Sequence, residues 1–214
     1  MLPVEIILLI LIAYLLGSVP TSVWVGKAFY RIDIRDHGSG NAGATNTIRI
    51  LGYKAGIPVL VFDVFKGWLA VQLAGWIPLP DLSAEAITYL KIGCAMAAVI
   101  GHIFPIFAGF RGGKGVGTLA GVGLALYPLA LLIVLGIFIL TLAITRYVSL
   151  SSMLAAFSFP FVVYFITGER QFALLVLAIL VAVFVPVTHR QNIKRLLKGE
   201  ENRFDFRRKK VQNR

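Results

Sequence analysis

Two glycine-rich segments of the sequence also carry cationic and hydroxyl side chains, a combination suited to binding phosphate groups. In residues 37–46, His-Gly-Ser-Gly-Asn-Ala-Gly-Ala-Thr-Asn, glycines let backbone N–H groups point at an anion with no Cβ in the way. Side-chain donors and the planar guanidinium of Arg49 extend that capacity. The alternative is a flexible interfacial loop without a ligand. The candidate phosphate-binding residues of this segment are Gly38, Ser39, Gly40, Asn41, Gly43, Thr45, Asn46 and Arg49.

The second segment, residues 101–118, has the composition of a nucleotide-binding P-loop but not its spacing. Lys114 is followed by Gly115, where a serine or threonine is needed for magnesium. We expect Lys114 to enter a helix N-terminus, whose dipole favours an anion, while Gly121 allows close helix packing. His102 is either a proton donor to phosphate or a structural imidazole. The candidate residues of this segment are His102, Arg111, Gly112, Gly113, Lys114 and Gly115.

Weaker indications come from two further polar segments and from one charged pair. Serines in residues 146–152 either cap a helix or help to hold phosphate, which makes Ser151 and Ser152 candidates. His189 and Asn192, three residues apart, either stabilise the end of a helix or bind substrate. We expect the charged pair, Asp63 and Lys66, to form a structural ion pair inside an apolar stretch.

The elements that must position these residues are apolar helices. The chain has 214 residues, of which 58% are hydrophobic and 14% charged, whereas soluble domains carry about 25% charged residues. It is therefore expected to be a polytopic all-α membrane protein. Its single cysteine, Cys94, allows no internal disulfide. The apolar stretches are approximately residues 4–25, 57–76, 86–104, 116–145, 153–166 and 172–187.

Charge asymmetry predicts the topology. Residues 116–145 are too long for one ordinary span, and Tyr127-Pro128 offers a break. Residues 189–214 hold ten Lys and Arg against three acidic residues, so this tail is expected in the cytoplasm. Seven spans, with the N-terminus outside, then place every basic loop inside. We expect one membrane domain over residues 1–188 with cytoplasmic active-site loops near 37–49, 101–118 and 146–152, and a basic cytoplasmic tail over 189–214.

Six segments, in order along nearly the whole chain, resemble the acyl-phosphate:glycerol-3-phosphate acyltransferase family of bacterial inner membranes. The resemblance implies transfer of a fatty acyl group from acyl-phosphate to the 1-hydroxyl of glycerol 3-phosphate, giving lysophosphatidic acid and phosphate. It implies no metal, cofactor or nucleic acid, and membrane lipid as surroundings. The segments are Gly17-Ser18-Val19-Pro20-Thr21-Ser22, residues 38–46, Gly101-His102-Ile103-Phe104-Pro105, Gly112-Gly113-Lys114-Gly115-Val116, Ser149-Leu150-Ser151-Ser152 and His189-Arg190-Gln191-Asn192.

The resemblance also implies which polar residues do the work. We expect four of the candidates to be catalytic and the others to bind substrate or phosphate. The catalytic candidates are Ser39, Asn41, Lys114 and His189; the principal binding candidates implied are Arg49, Ser152 and Asn192.

The histidines lack the partner that other glycerolipid acyltransferases use. An aspartate five residues after histidine is absent, since those positions hold Ala42, Phe107 and Lys194. An acyl-phosphate has a good leaving group, so positioning and charge stabilisation are expected to dominate. The alternative function is a phosphate or organophosphate transporter, which should show paired broken helices or an internal repeat. A metal-dependent phosphotransferase would need clustered aspartates.

Overall fold

The computed structural model describes residues 2–206, and every regular element in that part of the chain is helical. The predicted all-α class is therefore confirmed for the described residues. Residues 207–214 of the basic tail lie outside them. The α-helices are α1 (Leu2–Ser18), α2 (Thr21–Tyr30), α3 (Ala44–Leu51), α4 (Tyr53–Trp76), α5 (Ala84–Ile103), α6 (Val116–Leu126), α7 (Pro128–Thr145), α8 (Val148–Phe161), α9 (Phe172–Thr188) and α10 (Arg190–Leu197).

Four helical segments of the described chain are long and apolar enough to cross a membrane, or up to six if each bent helix pair counts as one span. The bent pairs are α1 with α2, at 40°, and α9 with α10, at 59°. The shorter α6 is apolar too, and the predicted break at Tyr127 separates it from α7. The number of seven spans and the orientation of the termini stay predictions. The four segments are Tyr53–Trp76, Ala84–Ala108, Pro128–Thr145 and Val148–Ile166.

The helices form two compact units, and the first ends at Leu126. In it α1 packs along α5, while α4 packs against α5 and α6. A Cβ at Gly17 would overlap the carbonyl of Ala98, and one at Gly121 would overlap that of Val64. Small residues thus bring these helix backbones together, as is usual in lipid. The main buried cluster of this unit comprises Leu9, Ala13, Ala70, Ala74, Leu79, Leu90, Cys94, Ala97 and Ala98.

The second unit comprises Tyr127–Phe206. In it α8 packs against both α7 and α9. Tyr127 is buried; its hydroxyl donates to the carbonyl of Leu174 at 2.7 Å, and its ring meets Phe159 edge-on. Pro160 lies near the end of α8, and the chain continues as a π-helical turn over Val162–Ile166. A proline cannot donate its backbone N–H, so a change of helix type beside it is physically reasonable.

Candidate active site

The first glycine-rich segment is organised around the buried amide of Asn46, in the first turn of α3. Its Oδ1 accepts the backbone N–H of Ser39 at 2.9 Å, and its Nδ2 donates to the carbonyls of Ile34 and His37 at 3.1 and 3.0 Å. Gly38 has φ +60°, and a Cβ there would overlap the Asn46 side chain. The segment is therefore a built turn, and the amide of Asn46 shapes it.

Arg35 ties this segment to the second glycine-rich segment. Its Nη1 donates to the carbonyls of Ala108 and Arg111 at 2.7 and 3.2 Å, and its Nε and Nη2 hold both carboxylate oxygens of Asp33. Hydrogen bonds from the Arg35 guanidinium hold the pKa of the Asp33 carboxyl well below its usual range, with Lys27 adding a 3.2 Å ion pair. The same partnership raises the pKa of Arg35. Arg35 is thus a permanently charged clamp on the backbone that precedes Lys114.

The turn that carries Lys114 is held by backbone hydrogen bonds to the end of α5. Gly112 and Gly113 donate their N–H groups to the carbonyls of Ile103 and His102, at 3.0 and 3.1 Å. Gly115, with φ +83°, lets the chain turn into α6. Lys114 is half-buried and lies two residues before the first residue of α6, as the sequence predicts. An anion at this turn would meet a cation and a helix N-terminus together.

A buried charged network lies beneath this turn. The Nζ of Lys66 is 2.8 Å from the Oδ1 of Asp63, so the predicted ion pair is confirmed. The Nδ1 of His102 is 3.5 Å from the same oxygen. Lys66 also donates to the carbonyl of Val19 at 3.0 Å. His102 therefore has an acidic partner within the protein.

The polar centre of the second unit is the carboxylate of Glu201. It accepts the hydroxyl of Ser149 at 2.7 Å, the Nδ2 of Asn192 at 2.6 Å and the Nε of Arg195 at 2.8 Å. Burial opposes the charge, yet these donors lower the pKa of Glu201 from its ordinary value. Glu201 therefore links Ser149, in the first turn of α8, to Asn192 and Arg195 on α10.

The other polar residues of this unit are buried and locally bonded. The hydroxyls of Ser151 and Ser152 donate to the carbonyls of Tyr147 and Val148, one turn earlier in α8. His189 ends α9, with its Nδ1 2.8 Å from the carbonyl of Val185. A carbonyl only accepts, so Nδ1 carries the proton, and the acceptor lone pair of the neutral ring is on Nε2.

Comparisons with known proteins identify the family of this chain. The sequence model of the glycerol-3-phosphate acyltransferase family matches residues 7–199. The chain belongs to that family. The glycerol-3-phosphate acyltransferase of Chlorobaculum tepidum is 44% identical, over 94% of this chain and 97% of its own.

Solved structures of the same family show the same fold. The crystal structure of PlsY, an integral membrane glycerol 3-phosphate acyltransferase, in its glycerol 3-phosphate form has a TM-score of 0.82 at 35% identity, covering 94% of this chain and 96% of that one. Its lysophosphatidic acid form has a TM-score of 0.80 at 34% identity, with the same coverage. The chain is thus an integral membrane protein of an acyltransferase family.

The candidate site residues fall into two sets, one in each compact unit. The first set surrounds two linked turns and includes residues 38–46, Arg49 and residues 111–115. The second set lies at the start of α8 and the junction of α9 with α10. Within the segment near residues 37–49, residues from Ala44 onward form α3, so Arg49 is on a helix. The serine caps are wrong, because α8 has Tyr147 as its N-cap without a side-chain cap.

Sequence reasoning missed Arg35 and Glu201 as members of these sets. Arg35 bonds to residues 73 and 76 positions away, and Glu201 to a serine 52 positions away. The only local indications were an Asp33-x-Arg35 spacing and an acidic residue in a basic tail. Neither indication predicts which distant residue bonds to Arg35 or to Glu201.

Proposed function

We propose that this protein transfers a fatty acyl group from acyl-phosphate to the 1-hydroxyl of glycerol 3-phosphate, with lysophosphatidic acid and inorganic phosphate as products. The observation that carries the proposal is the fold match to PlsY over 94% of the chain, in a glycerol 3-phosphate and a lysophosphatidic acid form. The proposed place of the reaction is the cytoplasmic face of a bacterial inner membrane, where the basic loops and tail are expected. The reaction is the first step of phospholipid synthesis.

The donor is proposed from the chemistry of the residues. The acyl carbon–oxygen bond to phosphate in a mixed anhydride breaks without a strong base, provided that the departing phosphate is stabilised. Lys114, at the turn before α6, is the proposed cation for that phosphate, together with Arg49 or Arg111. The N-terminus of α6, which begins two residues after Lys114, adds uncharged backbone donors.

The acceptor is proposed to be held by His189 and Asn192, with Ser151 and Ser152 beside its phosphate. The glycerol 1-hydroxyl oxygen forms the new ester bond to the acyl carbon as the bond to the phosphate oxygen breaks. The hydroxyl proton passes to an oxygen of the departing phosphate, so no side chain needs to keep it. Ser39 and Asn41 are proposed to orient the reacting groups. Under this proposal orientation and charge supply most of the rate enhancement.

The transporter alternative has no support in the comparisons, since the matched family and the matched structures are of acyltransferases. It remains an outcome that the test can detect.

The test is acyl transfer by the purified protein in lipid, without added metal. Glycerol 3-phosphate is supplied with acyl-phosphate, acyl-coenzyme A or acyl-carrier protein in separate reactions. We expect lysophosphatidic acid from acyl-phosphate only. Product from the thioesters alone would contradict the proposed donor. No product from any donor, with uptake of glycerol 3-phosphate by liposomes that carry the protein, would favour the transporter.

A further inference from the structure

Three charged or titratable residues of the first unit lie buried together and have no part in the proposed chemistry. Asp63 and Lys66, on α4, are 4% and 2% exposed, and His102, at the end of α5, is 7% exposed. One oxygen of Asp63 faces both the ammonium of Lys66, at 2.8 Å, and the Nδ1 of His102, at 3.5 Å. Lys66 is anchored in turn to the carbonyl of Val19.

His102 connects this network to the turn that carries Lys114. Its carbonyl accepts the N–H of Gly113 at 3.1 Å, and a Cβ added to Gly113 would overlap its Nε2. The ring therefore lies directly against the backbone of Gly113, with Asp63 on its opposite nitrogen. Displacement of the ring would displace the residue next to Lys114.

The network borders a small cavity with about 10 Å³ of space for the centre of a water molecule, also lined by Thr21, Ala42 and Gly112. A volume of this size corresponds to room for roughly one water. Because this cavity leaves part of the cluster without neighbouring side chains, the 3.5 Å contact between the Nδ1 of His102 and Asp63 helps to hold the ring in place.

The energetics of burial favour a positioning role over one in stability. Removing two charges from water costs several kcal/mol for each ion, so an apolar pair of similar volume is often as stable as a buried ion pair or more stable. Charged groups inside a membrane protein are correspondingly associated with function. We therefore expect the network of Asp63, Lys66 and His102 to matter for the geometry of the turn before Lys114 more than for the free energy of unfolding.

We propose that Asp63 and Lys66 are positioning residues for acyl transfer. Lys66 holds Asp63, Asp63 holds the imidazole of His102, and His102 holds the Gly112–Lys114 turn in the geometry that receives phosphate. This inference rests on the proposed function. It also assigns His102 to the support of the turn rather than to direct contact with substrate.

The test separates position from stability by removing both charges together. Asp63→Leu combined with Lys66→Met leaves no unpaired charge, so it should retain the fold and a thermal midpoint at least as high as Asp63→Asn alone. We expect kcat/KM to fall by about 10- to 100-fold in both variants, as for a misplaced reacting group. Wild-type kcat/KM in the charge-free double variant would overturn the inference.

A spin label at position 111 reports the turn independently of activity. Arg111 is exposed, and the single native cysteine is buried, so Arg111→Cys in a Cys94→Ala background gives one labelled site. We expect Asp63→Asn and the double variant to increase the mobility of the label. Unchanged mobility in both would overturn the inference. If the wild type makes no lysophosphatidic acid from any donor, the proposed function fails, and the label alone decides whether the network positions the turn.

A second pair of variants tests the contact between the His102 ring and Gly113. Gly113→Ala places a methyl group against the His102 ring, and we expect its effect on kcat/KM not to multiply with that of His102→Ala. Multiplicative effects would overturn the inference.

Tyr127→Phe is the matched control for loss of stability, because it removes a buried hydrogen bond elsewhere, to Leu174. It should lower the thermal midpoint and leave kcat/KM and label mobility unchanged.

Discussion

Lys114 is the residue on which the proposed mechanism depends most. Lys114→Ala removes the cation at the turn before α6, so the departing phosphate loses its main stabilising charge. We expect kcat/KM to fall by about 100-fold or more, the usual cost of losing one preorganised donor. Lys54→Ala, which removes an exposed cation from the first turn of α4, is the control and should have little effect.

The role of the histidines gives a second prediction about single residues. If a substrate phosphate accepts the hydroxyl proton, no single histidine acts as an indispensable base. His189→Ala should therefore weaken the binding of glycerol 3-phosphate without abolishing turnover at saturating substrate. Steady-state kinetics together with direct binding measurements would show this. A His189→Ala enzyme that binds both substrates normally but does not turn over would contradict the mechanism.

Glu201 gives a prediction about pH. Its pKa is lowered in the folded state, so its contribution to stability is present above the ordinary carboxyl pKa and is lost as the pH falls through the folded value. Glu201→Gln should lower the thermal midpoint at about pH 7, with a loss of about 2 kcal/mol of stability, as for a lost charged hydrogen-bond partner. Its midpoint should also fall less steeply than that of the wild type on acidification.

The control for that variant is the next residue along the chain. Glu200 is exposed, and Glu200→Gln should keep both the midpoint and its pH dependence. Equal acid sensitivity in the wild type and in Glu201→Gln would show that Glu201 is not the group responsible.

Glycines at contacts between helices give a prediction about helix packing. Gly121 on α6 meets the backbone of α4 at Val64, so Gly121→Ala must separate the two helices. Overpacking of this kind costs about 1–3 kcal/mol, which should appear as a lower thermal midpoint. Gly136 on α7 has no atom within 4 Å of an added Cβ, so Gly136→Ala should leave the midpoint unchanged or raise it. Equal effects of the two substitutions would contradict close packing at Gly121.

The elements that could be predicted are those with a local cause. Tyr127-Pro128 predicted the break between α6 and α7, because proline restricts the residue before it. The spacing of Asp63 and Lys66 predicted their ion pair, because residues three apart lie on one helix face. In contrast, α3 is an eight-residue helix beside a glycine-rich turn, too short for its periodicity to stand out. The partners of Arg35 and Glu201 depend on folding of distant segments, which no local spacing records.

At the scale of the whole molecule, the topology can be tested with two cysteines. Seven spans put Lys54 and Glu200 on the same, cytoplasmic side, whereas a single span over residues 116–145 would put them on opposite sides. Both residues are exposed. Lys54→Cys and Glu200→Cys should react with a membrane-impermeant thiol reagent only after the cells are permeabilised. Reaction of either one in intact cells would contradict the predicted topology.

The identity of the leaving group tests the central claim most directly. Purified protein in lipid, given acyl-phosphate and glycerol 3-phosphate, should form lysophosphatidic acid and inorganic phosphate in equal amounts and at equal rates. Omission of glycerol 3-phosphate should abolish both. Phosphate release that continues without the acceptor, or lysophosphatidic acid formed without phosphate release, would contradict acyl transfer from acyl-phosphate.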